Sequence, residues 1–115
     1  MTKIFTQVAE WIEDAVLSGA FPEKSQIPSI TEFSISCKIN PATALKGINL
    51  LVNQGIIYKK RGLGMFVATG ALHTLREKRK ESFYKNFIEN LIIEAKRLDL
   101  NESEIKIMIE RGFKG

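Results

Sequence analysis

The chain contains one cysteine, Cys37, and one histidine, His73, among its 115 residues. A lone cysteine excludes an internal disulfide and any multi-cysteine zinc site. A lone histidine excludes a His–His metal pair and leaves little from which to build a nucleophile–base relay. No apolar run approaches the roughly 18 residues of a membrane span. The opening MTKIFTQVAEW is amphipathic and carries an early acid, unlike a secretory leader. These scarcities predict a reduced, cytoplasmic protein with no membrane partner, no cofactor, no metal and no catalytic residues. In short, it is not an enzyme. Hydrophobic residues at 44% and charged residues at 26% are ordinary for a globular chain and argue against disorder. The length suits one compact domain with a helical extension.

A further absence is local. No Asp or Glu occurs from residue 33 to residue 76, while Lys38, Lys46, Lys59, Lys60, Arg61 and Arg76 all fall there. The formal net charge of the whole chain is only +4, so placement says more than size. A surface that faces a polyanion must exclude carboxylates, which would repel it. A solvated basic face would also satisfy the charge pattern taken alone.

Periodicity divides the chain into elements. Ile4, Phe5, Val8, Ile12, Ala15 and Val16 predict an amphipathic helix over 3–18, with Gly19 closing it. Residues 21–26 read as a loop around Pro22. Ser29 and Glu32 form a capping-box pattern, so a short helix is expected from Ile30 to about Ser36. Asn40 as N-cap and Pro41 at the first helical position start another helix. Leu45, Ile48, Leu51 and Val52 give its stripe and Gly55 its end. Residues 56–60 and 65–67 are β-prone around a basic Gly-x-Gly tip, a hairpin. Beyond Gly70 the helical period returns to about Leu98. Tyr84, Ile88, Leu91, Ala95 and Leu98 repeat with heptad-like spacing, widened by Phe83, Phe87 and Ile92. Asn101 and Glu104 cap a last helix ending near Gly112.

Three helices, the latter two in a helix-turn-helix, followed by a basic hairpin, describe a winged helix-turn-helix. The expected fold is therefore mainly α with a small β-hairpin wing. Residues 1–69 form the DNA-binding domain, and 70–115 a C-terminal two-helix dimerisation module. The second helix of the pair can enter a major groove with its N-terminal residues at base edges. The wing can follow the backbone or reach an adjacent minor groove. The candidate DNA contacts are Ser29, Thr31, Lys38, Asn40, Pro41, Ala42, Thr43, Lys46, Lys60, Arg61 and Gly62. The candidate dimer interface is Tyr84, Phe87, Ile88, Leu91, Ala95 and Leu98, because that seam is too apolar for a helix attached only to a small domain.

At these residues the sequence resembles the GntR family of bacterial transcription regulators, most closely its small YtrA-type branch. Ile4-Phe5, Gln7-Val8-Ala9, Ile12 and Leu17-Ser18-Gly19 are similar to the family's first helix. Ile27-Pro28-Ser29 with Glu32-Phe33 resembles its Leu-Pro-Ser motif. Asn40-Pro41, Thr43 and Lys46 resemble the recognition-helix opening of the branch. Gln54-Gly55-Ile56-Ile57, Lys60-Arg61-Gly62, Gly64 and Phe66-Val67 resemble the wing. Ile92, Glu94-Ala95, Leu98 and Ser103-Glu104 resemble the branch's short helical dimerisation tail. The resemblance implies a homodimeric, sequence-specific regulator of double-stranded DNA, a repressor on an inverted-repeat operator. It leaves room for an unidentified small effector. The sequence departs from the family at Thr31 and Leu45, where arginines are usual, and at Leu63, often basic. Lys46, Lys60 and Arg61 then carry more of the contact to DNA.

Other residues have blander readings. Cys37 is expected as a small core residue of the inter-helix turn and His73 as a surface residue. Trp11, Phe83 and Phe87 read as core or interface. The run Arg76 to Lys80 contains Glu77 and reads as a solvated helix face. The alternative to DNA reading is a winged-helix protein–protein adaptor.

Overall fold

The computed structural model describes residues 4–115. Residue 3, where the periodicity begins the first helix, lies outside the described residues. The chain folds as two compact units, Met1–Glu77 and Lys78–Gly115.

The first unit contains α1 (Ile4–Ser18), β1 (Gln26–Ile27), α2 (Ile30–Cys37), α3 (Pro41–Asn53), β2 (Ile57–Lys60) and β3 (Gly64–Val67). The helix starts follow their caps. Ser29 Oγ accepts from the Glu32 N–H at 3.1 Å, and Glu32 Oε1 accepts from the Ser29 N–H at 3.1 Å. Asn40 Oδ1 accepts from the Ala42 N–H at 2.7 Å, with Pro41 at the first turn, where its missing donor costs nothing. Lys38 closes α2 with φ 55°, a left-handed residue that is not glycine. α2 thus ends at Cys37, one residue beyond the sequence expectation.

The sheet is three-stranded and antiparallel, in the order β1-β3-β2. β1 lies where the sequence reads as a loop. Two residues carry no period, and their pairing partners, Phe66 and Met65, are remote in sequence. The Lys24 N–H donates to Val67 O at 2.7 Å and the Val67 N–H to Ser25 O at 2.9 Å, extending the ladder.

Ile12, Phe33, Ile48, Leu51, Ile56, Ile57, Val67 and Leu75 are the largest buried side chains of this unit. Trp11 is half exposed and packs edge-on against Phe21 and Phe33, with ring centroids 5.9 and 5.5 Å away. Cys37 is exposed, correcting the expectation of a core residue. The turn brings Ile39 against the core instead.

The buried face of α3 is Ala44, Gly47, Ile48 and Leu51, a stripe rotated from the expected one. Gly47 explains the rotation. A Cβ there would sit 2.6 Å from the Phe5 carbonyl oxygen and 2.9 Å from Val8 Cβ, so α1 and α3 touch backbone to backbone. A Gly→Ala change in a helix gains roughly 0.5–1 kcal/mol in propensity, whereas overpacking costs about 1–3 kcal/mol. A backbone oxygen cannot swing aside as a side chain can, so the cost wins. Gly47→Ala is expected to lower the urea midpoint, and a variant as stable as wild type would show that the two helices part freely.

α4 (Ala71–Phe83) begins in the first unit with Ala71 and Leu75 buried. Gly70 precedes it with φ +86° and has no side chain with which to cap. Glu23 supplies the cap from a distance: its carboxylate accepts from the N–H groups of Gly70 at 2.9 Å and Leu72 at 3.1 Å. These two bonds hold the Glu23 carboxyl below the usual carboxylate range.

In the second unit a π-helical turn, Tyr84–Ile88, follows α4 and leads into α5 (Glu89–Arg97). The Glu89 N–H donates to Tyr84 O, five residues back. Such a turn inserts one residue, which rotates what precedes it by about 100° relative to an unbroken helix. The heptad-like seam expected from Tyr84 to Leu98 is therefore offset at its start. α6 (Glu102–Lys114) opens with a reciprocal cap, Asn101 Oδ1 accepting from the Glu104 N–H at 2.9 Å and Glu104 Oε1 from the Asn101 N–H at 3.2 Å. α6 runs to Lys114, past the expected end near Gly112.

Candidate nucleic-acid interface

The wing owes its shape to strand alternation. Adjacent side chains of a strand point to opposite faces, so neighbouring lysines part. Lys59, opposite Met65, turns toward α3, and its Nζ donates to Asn49 Oδ1 at 3.0 Å. Lys60, opposite Gly64, lies on the other face, with Nζ 5.6 Å from the centroid of the Phe66 ring. Phe66 in turn stacks on Tyr58 at 5.6 Å. Arg61 and Gly62 form the bend, and the Leu63 N–H donates to Lys60 O at 2.9 Å. Gly62 has φ +78°, the sign that the third position of such a turn needs.

Ser29 and Thr31, at the start of α2, line an open groove of about 530 Å³ together with Lys60, Arg61 and Gly62. Five of the candidate contacts thus come together, and Lys59 and Gln26 join them. The Ser29 oxygen is committed to its cap, leaving the hydroxyl hydrogen to donate. Glu32 also lines the groove, its Oε1 held by the Ser29 N–H.

Lys38, Asn40, Pro41, Ala42, Thr43 and Lys46 form a second group that does not line this groove. All are exposed except Thr43, which is half-buried. Asn40 Oδ1 is occupied by the cap, so its amide donors are what it can offer a ligand. Lys46 Nζ lies 5.1 Å from the centroid of the Phe5 ring. An exposed contact of that kind is worth about 0.5–1 kcal/mol, less than the roughly 1–3 kcal/mol of a good base contact, so the lysine can leave the ring for a guanine edge. Leu45 is half-buried, and His73 is exposed as expected.

Sequence reasoning misses Gln26 and Asn49. Gln26 belongs to the strand that leaves no signal in the sequence. Asn49 is half-buried on the second half of α3, away from the helix start where base contacts are expected. The one legible signal is Gly64, since a glycine at a tip often marks a close approach by another group.

In the second unit, Tyr84, Phe87 and Leu98 are exposed, and Ile88 and Leu91 are half-buried. Ala95 is buried within the chain. It lies with Leu91, Leu98, Leu100, Ile105 and Met108 along an apolar groove of about 370 Å³ between α5 and α6.

Comparison with known proteins agrees with this geometry. No family model matches the chain. The crystal structure of a protein assigned to the GntR family of transcriptional regulators, from Bacteroides thetaiotaomicron, is 32% identical over 97% of both chains, with a TM-score of 0.76. The chain belongs to the GntR family. A curated relative of this GntR protein is an HTH-type transcriptional regulator of Bacillus subtilis, YhcF, 26% identical over 95% of this chain and 92% of that protein. A transcriptional regulator from Oenococcus oeni, 21% identical, shares the fold over 98% of this chain and 95% of its own, with a TM-score of 0.78. The DNA-binding domain of AraR, in complex with an operator, is 32% identical over 59% of this chain and 82% of that one, with a TM-score of 0.57. The mainly helical architecture with a three-stranded sheet is thus that of GntR winged-helix proteins.

Proposed function

We propose that this GntR protein is a homodimeric, sequence-specific DNA-binding repressor of the YtrA type, acting in the cytoplasm on an inverted-repeat operator. The observation that carries the reading is the acid-free stretch from residue 33 to residue 76, which supplies both the start of α3 and the whole wing. These are the two elements with which a winged helix meets a major groove and the adjoining backbone. AraR's complex with an operator supports DNA as the partner. A regulatory and not an enzymatic role is supported by the relatives, which are transcriptional regulators. Among the described residues, no helix is long and apolar enough to cross a membrane. Residues 1–69 are assigned to DNA binding and 70–115 to dimerisation. The contacts proposed are those of the two groups above, and any small effector is a further partner.

A binding selection on randomised duplexes tests specificity. The expected motif is two-fold symmetric, with half-sites about one helical turn apart or a multiple of it. Lys46→Ala is expected to cost on the order of 1–3 kcal/mol and to relax preference at one symmetric pair of positions. A motif without two-fold symmetry, or a uniform loss over all sequences, contradicts the assignment of Lys46 to base reading.

A further inference from the structure

Leu63 is 61% exposed at the tip of the wing. A scattered surface leucine needs no explanation. This one differs because its backbone is held on both sides. Its N–H donates to Lys60 O at 2.9 Å, closing the turn. Its carbonyl accepts from Gln26 Nε2 at 2.8 Å, a donor brought from β1. Gly64 follows with φ +121°, and a Cβ there would lie 2.6 Å from the same Nε2. Gln26 passes so close beneath the tip that only glycine leaves it room. The side chain of Leu63 is therefore presented to solvent from a fixed backbone, with the cations of Lys60 and Arg61 just before it in the chain.

We infer that Leu63 is an apolar minor-groove contact, lying against the deoxyribose walls, and that Gln26 is the positioning residue that holds it there. The inference rests on the DNA-binding reading above. Flanking cations select a polyanion as the occupant, and within a polyanionic duplex the sugar walls are the apolar surface. Apolar side chains are used in this way by proteins that enter the minor groove. Leucine has no acceptor for the 2-amino group that guanine projects into that groove, so burying it there would leave the donor unpaired. The contact therefore favours A·T over G·C.

The test uses the full-length protein and the duplex recovered by selection, with A·T, G·C or inosine·cytosine pairs in the segments flanking each half-site. Inosine keeps the major-groove edge of guanine and lacks the 2-amino group. Wild type is expected to bind the A·T and inosine·cytosine duplexes alike and the G·C duplex several-fold more weakly. Leu63→Ala should lower A·T affinity by roughly tenfold, the worth of a buried leucine side chain. It should also abolish the discrimination and leave the log–log salt slope unchanged, since no charge is removed. Gln26→Ala should reproduce this loss, and the double variant should bind no worse than either single one. Leu63→Ala with unchanged affinity and discrimination, beside a Lys60→Ala, Arg61→Ala variant that binds weakly, overturns the inference and leaves the DNA reading intact. Wild type showing no salt-dependent binding to any duplex overturns both.

Discussion

Replacing Lys60 and Arg61 together by alanine is expected to weaken binding to every duplex and to flatten its salt dependence. Each phosphate contact contributes about 0.9 to the slope of log affinity against log salt. Removing two cations from each protomer therefore takes away roughly two units per protomer, and about four from a bound dimer. The affinity itself should fall by one to two powers of ten or more, since a hydrogen bond to a charged group is worth about 1.5–3 kcal/mol. Both side chains are exposed, and the wing's frame does not depend on them. Tyr58 and Phe66 stack across it, and Met65 and Val67 hold it to the core. Folding should thus be unaffected, and equilibrium titrations at several salt concentrations read the result. An unchanged slope means that these cations do not meet phosphate.

Phe87→Glu is expected to convert the protein to monomers. Phe87 is 63% exposed and touches Phe83, their ring centroids 5.4 Å apart. Tyr84, Ile93, Leu98 and Phe113 are also exposed large apolar residues of the second unit. So much uncovered apolar surface marks an interaction face, and a carboxylate within it would be desolvated without a partner. Phe87 is a cleaner probe than Leu91, which is half-buried and lines the groove between α5 and α6. A charge at Leu91 would loosen that hairpin as well as the dimer. Separating the protomers unlinks the two recognition helices, so operator affinity should fall by roughly 10²- to 10⁴-fold. Sedimentation at micromolar concentration decides the matter. A wild-type monomer, or a variant that remains dimeric, removes this face from the assembly.

The starts of α2, α3 and α6 are legible in the sequence because their caps are local. A side chain that accepts from an N–H two or three residues ahead is written within four residues of sequence, as at Ser29, Asn40 and Asn101. The start of α4 is not legible in this way. Its cap is Glu23, some fifty residues earlier in the chain, and no local pattern predicts a pairing across that distance. The wing's position is visible as two β-prone runs about a glycine tip. The third strand beside it is not, because two residues have no alternation to show and their register depends on β3.

The sequence by itself determined where helices begin, that the DNA-facing candidates lack acids, and which family the chain resembles. Each of these depends on residue type and on neighbours within a turn or two. Tertiary structure decided the rest. It sent Lys59 and Lys60 to opposite faces of the wing, rotated the buried stripe of α3 onto Gly47, and inserted a π-helical turn at Tyr84–Ile88. It also left Cys37 exposed and set Gln26 beneath Leu63. The reason is the same throughout. Side-chain direction and backbone approach are set by what packs against an element, and those partners lie far along the chain.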